Sequence, residues 1–256
     1  MATIATRPTA EFKPNWQFLV PLFSAALLSI LGGCSRQTDS ELEHDHDRDA
    51  LLTIRAVGVL VLELTSNDGT LLPPTLLDQE SNVLCSWRFK VAVNTVSGGE
   101  GCGERSDNWK SQQMRCYAEL MPVRETFAWD INVLNDRTSR TQILGIAGRD
   151  TFFGNSDSPQ PKLGDIPIDL VMLIGVSTPD VEVFEPRDFN IDIQFDGTAI
   201  DATVGDYGIT HVCFADGVVW ALKNDTPILI FRKLVTVQDA LLNSRESVLS
   251  KYRDGI

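Results

Sequence analysis

Two stretches of this 256-residue chain set imidazoles among carboxylates. In "EHDHDRD", residues 43–49, His44 and His46 stand between acids, a donor set that suits Zn²⁺, Ni²⁺ or Cu²⁺. A solvated charged linker has the same composition. Donors on such a linker lack the outer hydrogen bonds that make metal binding tight, so no resident metal is expected. The second stretch carries Asp206, His211 and Asp216. A His with a nearby carboxylate is the machinery of acid–base catalysis. Asp216, however, precedes Gly217 in a turn pair, and the chain has no Gly-x-Ser-x-Gly motif and no activated thiol to act as nucleophile. The Gly-rich "GGEGCGERS", 98–106, lacks the Gly-Lys-Ser/Thr ending of a phosphate loop and reads as surface loop. In "VFEPRDF", Glu185, Arg187 and Asp188 are expected to form a structural clamp, because a guanidinium binds carboxylates in bidentate fashion. Trp87, Trp109, Trp129 and Trp220 are scattered and read as core or half-buried residues. The reading is a protein without catalytic activity and without a cofactor.

Cys34 carries chemistry of another kind. It ends "FLVPLFSAALLSILGGCSRQ", residues 18–37, in which an apolar run over 18–31 follows the cationic Arg7 and Lys13. As a helix that run is about 21 Å long, short of a hydrocarbon core of about 30 Å. Its dimensions are those of a signal-peptide core. Leu31-Gly32-Gly33-Cys34 has the form of a lipobox: an aliphatic residue, two small residues that admit the peptidase, and a sulfur to carry diacylglycerol. A signal anchor is the alternative, since 14–35 is uncharged and spans if tilted. A core helix fits worse, because Pro21 and Gly32-Gly33 bracket the run and a polar segment follows. The expectation is a leader over 1–33 and a chain tethered to the bilayer through acylated Cys34, held by two or three acyl chains.

Charge narrows the partners. The whole chain carries a formal net charge of −13. Removing 1–33 takes away Arg7, Lys13 and Glu11, which leaves 20 basic and 34 acidic side chains. Nucleic acid is disfavoured, because phosphates need Lys and Arg. With Cys34 lipidated, Cys85, Cys102, Cys116 and Cys213 remain. An even number in an exported chain is compatible with two disulfides in three connectivities. Cys102 with Cys116 closes the shortest loop and is the preferred pair. Cys213 sits in a strand-like run and also reads as a small buried hydrophobe.

These residues need elements to place them. Residues 34–49 read as a polar acidic tether, roughly 20 Å long if flexible. Residues 50–64 are nearly continuously apolar, and periodicity leaves helix and strand open. Residues 84–96 read as strand or short helix, and 141–147 and 169–176 as strands. Five prolines between 159 and 186 exclude long helices there. "HVCFADGVVWAL", 211–222, is two apolar runs around Asp216-Gly217, the pattern of a type I′ hairpin. A strand is expected at 227–231. Val237, Leu241, Val248 and Tyr252 mark one face of a single helix over 236–256, with Thr236 as N-cap. The pattern predicts one α+β domain over 50–235 with a mostly antiparallel sheet, followed by the C-terminal helix.

Several blocks, in order, resemble a bacterial prepilin-like family known as a domain of unknown function. Its C-terminal signature is His, nine residues, then Asp-Gly. The blocks are "GTLLPP" (69–74), "SWRFKVAV" (86–93), "RSDNWKSQQ" (105–113), "TQILGIAGRDTFF" (141–153), "VFEPRDFNID" (183–192) and "GDYGITHVCFADGVVWALKNDTP" (205–227). The resemblance covers about 50–233 and implies a pilin-like fold, with 50–64 a helix packed on the sheet. Asp206 stands where the signature has His, so any role of that His does not carry over; Asp216 and Gly217 match. The family's prepilin leader and filament-forming helix are replaced here by the lipobox and tether. The resemblance therefore implies an envelope lipoprotein whose head has a structural or protein-interaction role, linked to secretion or pilus-type systems. Ser35 after the Cys is not the Asp that retains lipoproteins at the inner membrane, which favours the outer membrane. A small-ligand or glycan-binding module is the alternative role, and a hydrolase a further one.

Overall fold

The computed structural model describes residues 39–254, apart from 69, 78–79, 81, 96–107, 120, 131–132, 135–138, 156–160, 179 and 196–200. The leader, Cys34 and Cys102 lie outside the described residues. The fold is mixed α+β. A five-stranded sheet runs in the order β7 (Phe189–Asn190), β4 (Ile143–Ala147), β5 (Val171–Val176), β8 (Ile209–Phe214), β9 (Val219–Ala221). Its pairs are antiparallel except β4 with β7. Two small antiparallel pairs stand outside it: β1 (Thr75–Leu77) with β2 (Val83–Ser86), and β3 (Arg140–Thr141) with β6 (Val181–Glu182).

Helix α1 spans Asp39–Asp68. It takes in residues 39–49, which the sequence reading assigned to the tether. The stretch 39–49 holds no Gly or Pro to stop a helix, so its charged composition does not prevent a helical start. Farther along, Ala50, Ile54, Val57, Val61 and Thr65 form a buried stripe at helical spacing. The stripe lies close against the sheet at Gly58. A Cβ there would meet Cys213 Sγ at 2.6 Å and Met172 Cε at 3.0 Å. Gly175 on β5 makes the reciprocal approach, with Ile54 Cδ1 2.6 Å from where its Cβ would stand.

All six residues of β5 are buried, because both faces of the sheet are covered. Ile143, Met172, Leu173 and Cys213 join the α1 side of the core, whereas Leu144, Ile146, Ile174, Val212 and Phe214 join a second cluster. The consecutive Met172 and Leu173 share one side because the β5–β8 register shifts between Val171 and Leu173, as at a β-bulge. The second cluster is filled from the C-terminal third, including Trp220, Phe231, Leu234 and Leu249.

Three local expectations are corrected. Residues 228–231 form a helical turn, α6 (Ile228–Phe231), with Pro227 as N-cap. Pro at a helix entrance fits its fixed φ and missing N–H. The C-terminal helix is two helices, α7 (Val237–Leu242) and α8 (Arg245–Leu249). Thr236 caps α7, accepting from the Asp239 N–H, but Asn243 is extended and Ser244 opens α8 with a capping box. The break turns Leu241 outward, at 61% exposure, so the four-residue face does not exist as one stripe. The β8–β9 turn is not type I′. Gly217 alone has positive φ, at +80°, and its N–H donates to Phe214 O. The Phe214 N–H donates to Val218 O, which gives a three-residue loop closed by a left-handed Gly.

Candidate functional site

The Ser-Trp-Arg block and the Glu-Pro-Arg-Asp-Phe block meet in space. Ser86 ends β2, and Trp87 and Arg88 open α2 (Trp87–Thr95). The Arg88 side chain is fully buried and Asp188 nearly so, with Nη1 donating to Oδ1 at 2.6 Å. Arg88 also donates from Nε to Val183 O (2.7 Å) and from Nη2 to Glu185 O (2.7 Å) and Arg187 O (3.1 Å). Asp188 collects two further donors, Trp87 Nε1 (3.1 Å to Oδ2) and the Gly145 N–H (2.8 Å). One ion pair thus ties α2, β4 and the 183–188 segment together. The clamp expected among Glu185, Arg187 and Asp188 is divided. Arg187 pairs with Glu185 and Asp180 on the surface, while Asp188 belongs to Arg88. The partner of Asp188 lies 100 positions back in sequence, which is why its spacing did not reveal it.

The clamp holds Val183 and Phe184 in place, and these two form one wall of a shallow groove of roughly 190 Å³. The opposite wall is α3 (Gln112–Ala118) and Trp109, two residues before its cap. Ser111 caps α3 by accepting from the Met114 N–H at 3.2 Å. The Trp109 backbone N–H donates to Leu84 O at 2.7 Å, which pins the main chain at Trp109 to β2. Beside Phe184 the floor continues inward as an aromatic cluster: Tyr117 stacks on Phe184 at 5.7 Å and Phe89 meets it edge-on at 5.4 Å. The rim is charged. Arg115 and Glu119 come from α3 and its end, and Arg140 and Glu182 face each other across the β3–β6 pair. Among the described residues none of these four side chains comes within 4 Å of an opposite charge.

The Asp206, His211 and Asp216 set is not assembled around one point. Asp206 Oδ2 accepts from the Thr203 N–H (2.8 Å) and hydroxyl (3.1 Å), closing a local turn. His211 is buried on β8, with Nδ1 2.9 Å from Thr210 Oγ1 and its ring edge-on to Trp129. Asp216 accepts from the Val218 N–H (3.0 Å) and from Arg245 Nη1 (2.8 Å). Arg245 also reaches Asp169 at 3.0 Å and lies over the Phe214 ring. Burial pushes the Asp216 carboxyl up, but the hydrogen bonds and charge of Arg245 outweigh it and hold it below the usual carboxylate range. Arg245 therefore fastens α8 to the hairpin turn.

Cys116 stands exposed on α3, and its expected partner Cys102 is outside the described residues. Cys85 and Cys213 are buried, and burial pushes the Cys85 thiol up to about 12 and Cys213 higher still. The side chains of His44 and His46 are not among those described. Among the described residues no three His, Cys, Asp or Glu side chains gather as a metal site. No described helix is long and apolar enough to cross a membrane. Sequence reasoning missed Arg115, Arg140 and Glu182, which become neighbours only through the β3–β6 register and the placement of α3. No protein-family model, no curated protein and no solved structure matches the chain.

Proposed function

We propose that the chain is a cell-envelope lipoprotein, anchored through acylated Cys34, whose prepilin-like head works by contact with other envelope or secretion-system proteins and not by catalysis. The observation that carries this reading is α1. It starts at Asp39, a few residues beyond the lipobox Cys, and its later turns lie in the core against β5 and β8. In sequence, the proposed anchor stands five positions before the start of this helix. The meeting of the Ser-Trp-Arg and Glu-Pro-Arg-Asp-Phe blocks at Arg88 and Asp188 adds support, because both blocks carry the family resemblance. Filament assembly is not part of the proposal, since a lipobox occupies the place of the filament-forming helix.

The test is processing in a bacterial host. Wild-type chain should incorporate labelled palmitate and accumulate as precursor under globomycin. The Cys34→Ala variant should take up no label and remain as precursor with or without globomycin. Processing that is indifferent to globomycin, with no label on the wild type, refutes the anchor. Crosslinking from native membranes then tests the contact role.

A further inference from the structure

We propose that the groove between α3 and the β3–β6 pair binds a neutral pyranose ring. This proposal does not rest on the anchor. Size is the first argument. Roughly 190 Å³ holds one sugar ring or one side chain and falls below the range of about 300–1,000 Å³ typical of drug-sized ligands.

The second argument is the pairing of surfaces. Half-buried Trp109, with Lys110 Nζ 5.2 Å from its ring centroid, supplies the aromatic contact for the apolar C–H face of a ring, while Phe184 and Met114 line the groove but are almost fully buried. Around it stand Arg115, Arg140, Glu119 and Glu182. Arg140 and Glu182 are direct cross-strand partners, and Arg115 and Glu119 are four apart at a helix end. Both spacings favour ion pairs. Neither pair forms, and all four groups keep their hydrogen-bonding capacity facing the groove rim. A sugar hydroxyl donates and accepts at once. Guanidinium only donates and carboxylate only accepts, so an alternating rim answers both needs of vicinal hydroxyls.

The third argument excludes other ligands. Two cations against two anions give the rim no net positive charge to favour a phosphate or an acidic sugar. An extended peptide would need free main chain for strand addition. The main chain here is engaged: the Glu182 N–H donates to Glu185 Oε2, the Val183 N–H to Ser139 O, and the carbonyls of Val183 and Phe184 accept from Arg88 and from the Ser86 N–H.

The full chain, in a micelle of sugar-free detergent, is titrated with maltohexaose, cellohexaose and chitohexaose. Calorimetry and tryptophan fluorescence report binding. Saturable binding of at least one saccharide is expected. The surface variants Arg115→Ala and Glu182→Gln should each weaken it about tenfold, the effect of one lost charged hydrogen bond. Trp109→Ala should remove it, and Arg187→Ala, outside the groove, should leave it unchanged. The proposal is overturned by no saturable binding up to about 10 mM, which is weaker than about 3 kcal/mol of affinity. It is equally overturned by binding that Arg115→Ala and Glu182→Gln, with native circular dichroism, do not affect. Competition by a sugar phosphate or a peptide in place of the neutral saccharides would assign the groove to those ligands and refute it.

Discussion

Replacing Asp188 with Asn tests whether the clamp holds the head together. Asn keeps the shape and removes the charge. Asp188 Oδ1 accepts from Arg88 (2.6 Å), Gly145 (2.8 Å) and Trp87 (3.2 Å), and Oδ2 from Trp87 (3.1 Å). Every partner is a donor, and an amide offers one acceptor atom. The best orientation leaves the Asn oxygen on Arg88 and Gly145 and turns its NH₂ against the indole N–H. One buried donor then lacks an acceptor, at about 1–3 kcal/mol. The fully buried guanidinium also loses its counter-charge. Removing one partner of a buried ion pair costs about 3–5 kcal/mol in total. Against a total stability of about 5–15 kcal/mol this is severe. With a urea m-value of about 2 kcal/mol/M, the midpoint should fall by about 1.5–2.5 M. Urea unfolding followed by tryptophan fluorescence reads it. Arg88→Met breaks the same unit from the other side and strands the carbonyls of Val183, Glu185 and Arg187. The double variant should therefore lose about 1–3 kcal/mol less than the sum of the singles. A loss under about 1 kcal/mol for Asp188→Asn, or a coupling near zero, would refute the reasoning.

Gly58→Ala should destabilise, although Ala ordinarily gains about 1 kcal/mol over Gly inside a helix. Its Cβ would stand 2.6 Å from Cys213 Sγ, and overpacking costs about 1–3 kcal/mol, so thermal unfolding should show a lower Tm that Cys213→Ala partly restores. Asp216 has a lowered pKa in the folded chain, so its contribution is present above the unfolded value of about 3.9 and is lost as pH falls through the lower folded value. Carboxyl NMR titration should place Asp216 below the ordinary aspartate value in wild type, and Arg245→Met should raise it while moving the onset of acid unfolding to higher pH. Maleimide should leave Cys85 and Cys213 unlabelled in the native chain, because buried thiols with raised pKa values are not nucleophilic. Cys116 should label at once if free, or only after reduction if it is bonded to Cys102, and mass spectrometry distinguishes the two.

Patterns confined to a few neighbouring residues were legible before any coordinates. The Asp216-Gly217 hairpin, the Thr236 cap and the strands over 141–147 and 169–176 each depend on local geometry: a left-handed glycine, a side chain that reaches one turn ahead, a run of apolar residues bounded by breakers. Local patterns also misled where two elements share one composition. "PILIF" is equally apolar as strand or helical turn, and Pro227 at the entrance settled it as a turn once the Phe231 ring had a core to fill. The periodic apolar positions of 237–252 fit one helix until Asn243 and Ser244 broke it.

The acidity, the α+β class and the antiparallel hairpin could be read from residue order alone, because each follows from composition or from contacts a few residues apart. Which charges meet was settled by tertiary packing. Arg88 and Asp188 are joined, and Arg140 and Glu182 are brought face to face but left unpaired, through strand register and the course of segments far apart in the chain. No spacing rule reaches across such distances. A charge is placed by the backbone that carries it, and that backbone is positioned by apolar burial on both faces of the sheet.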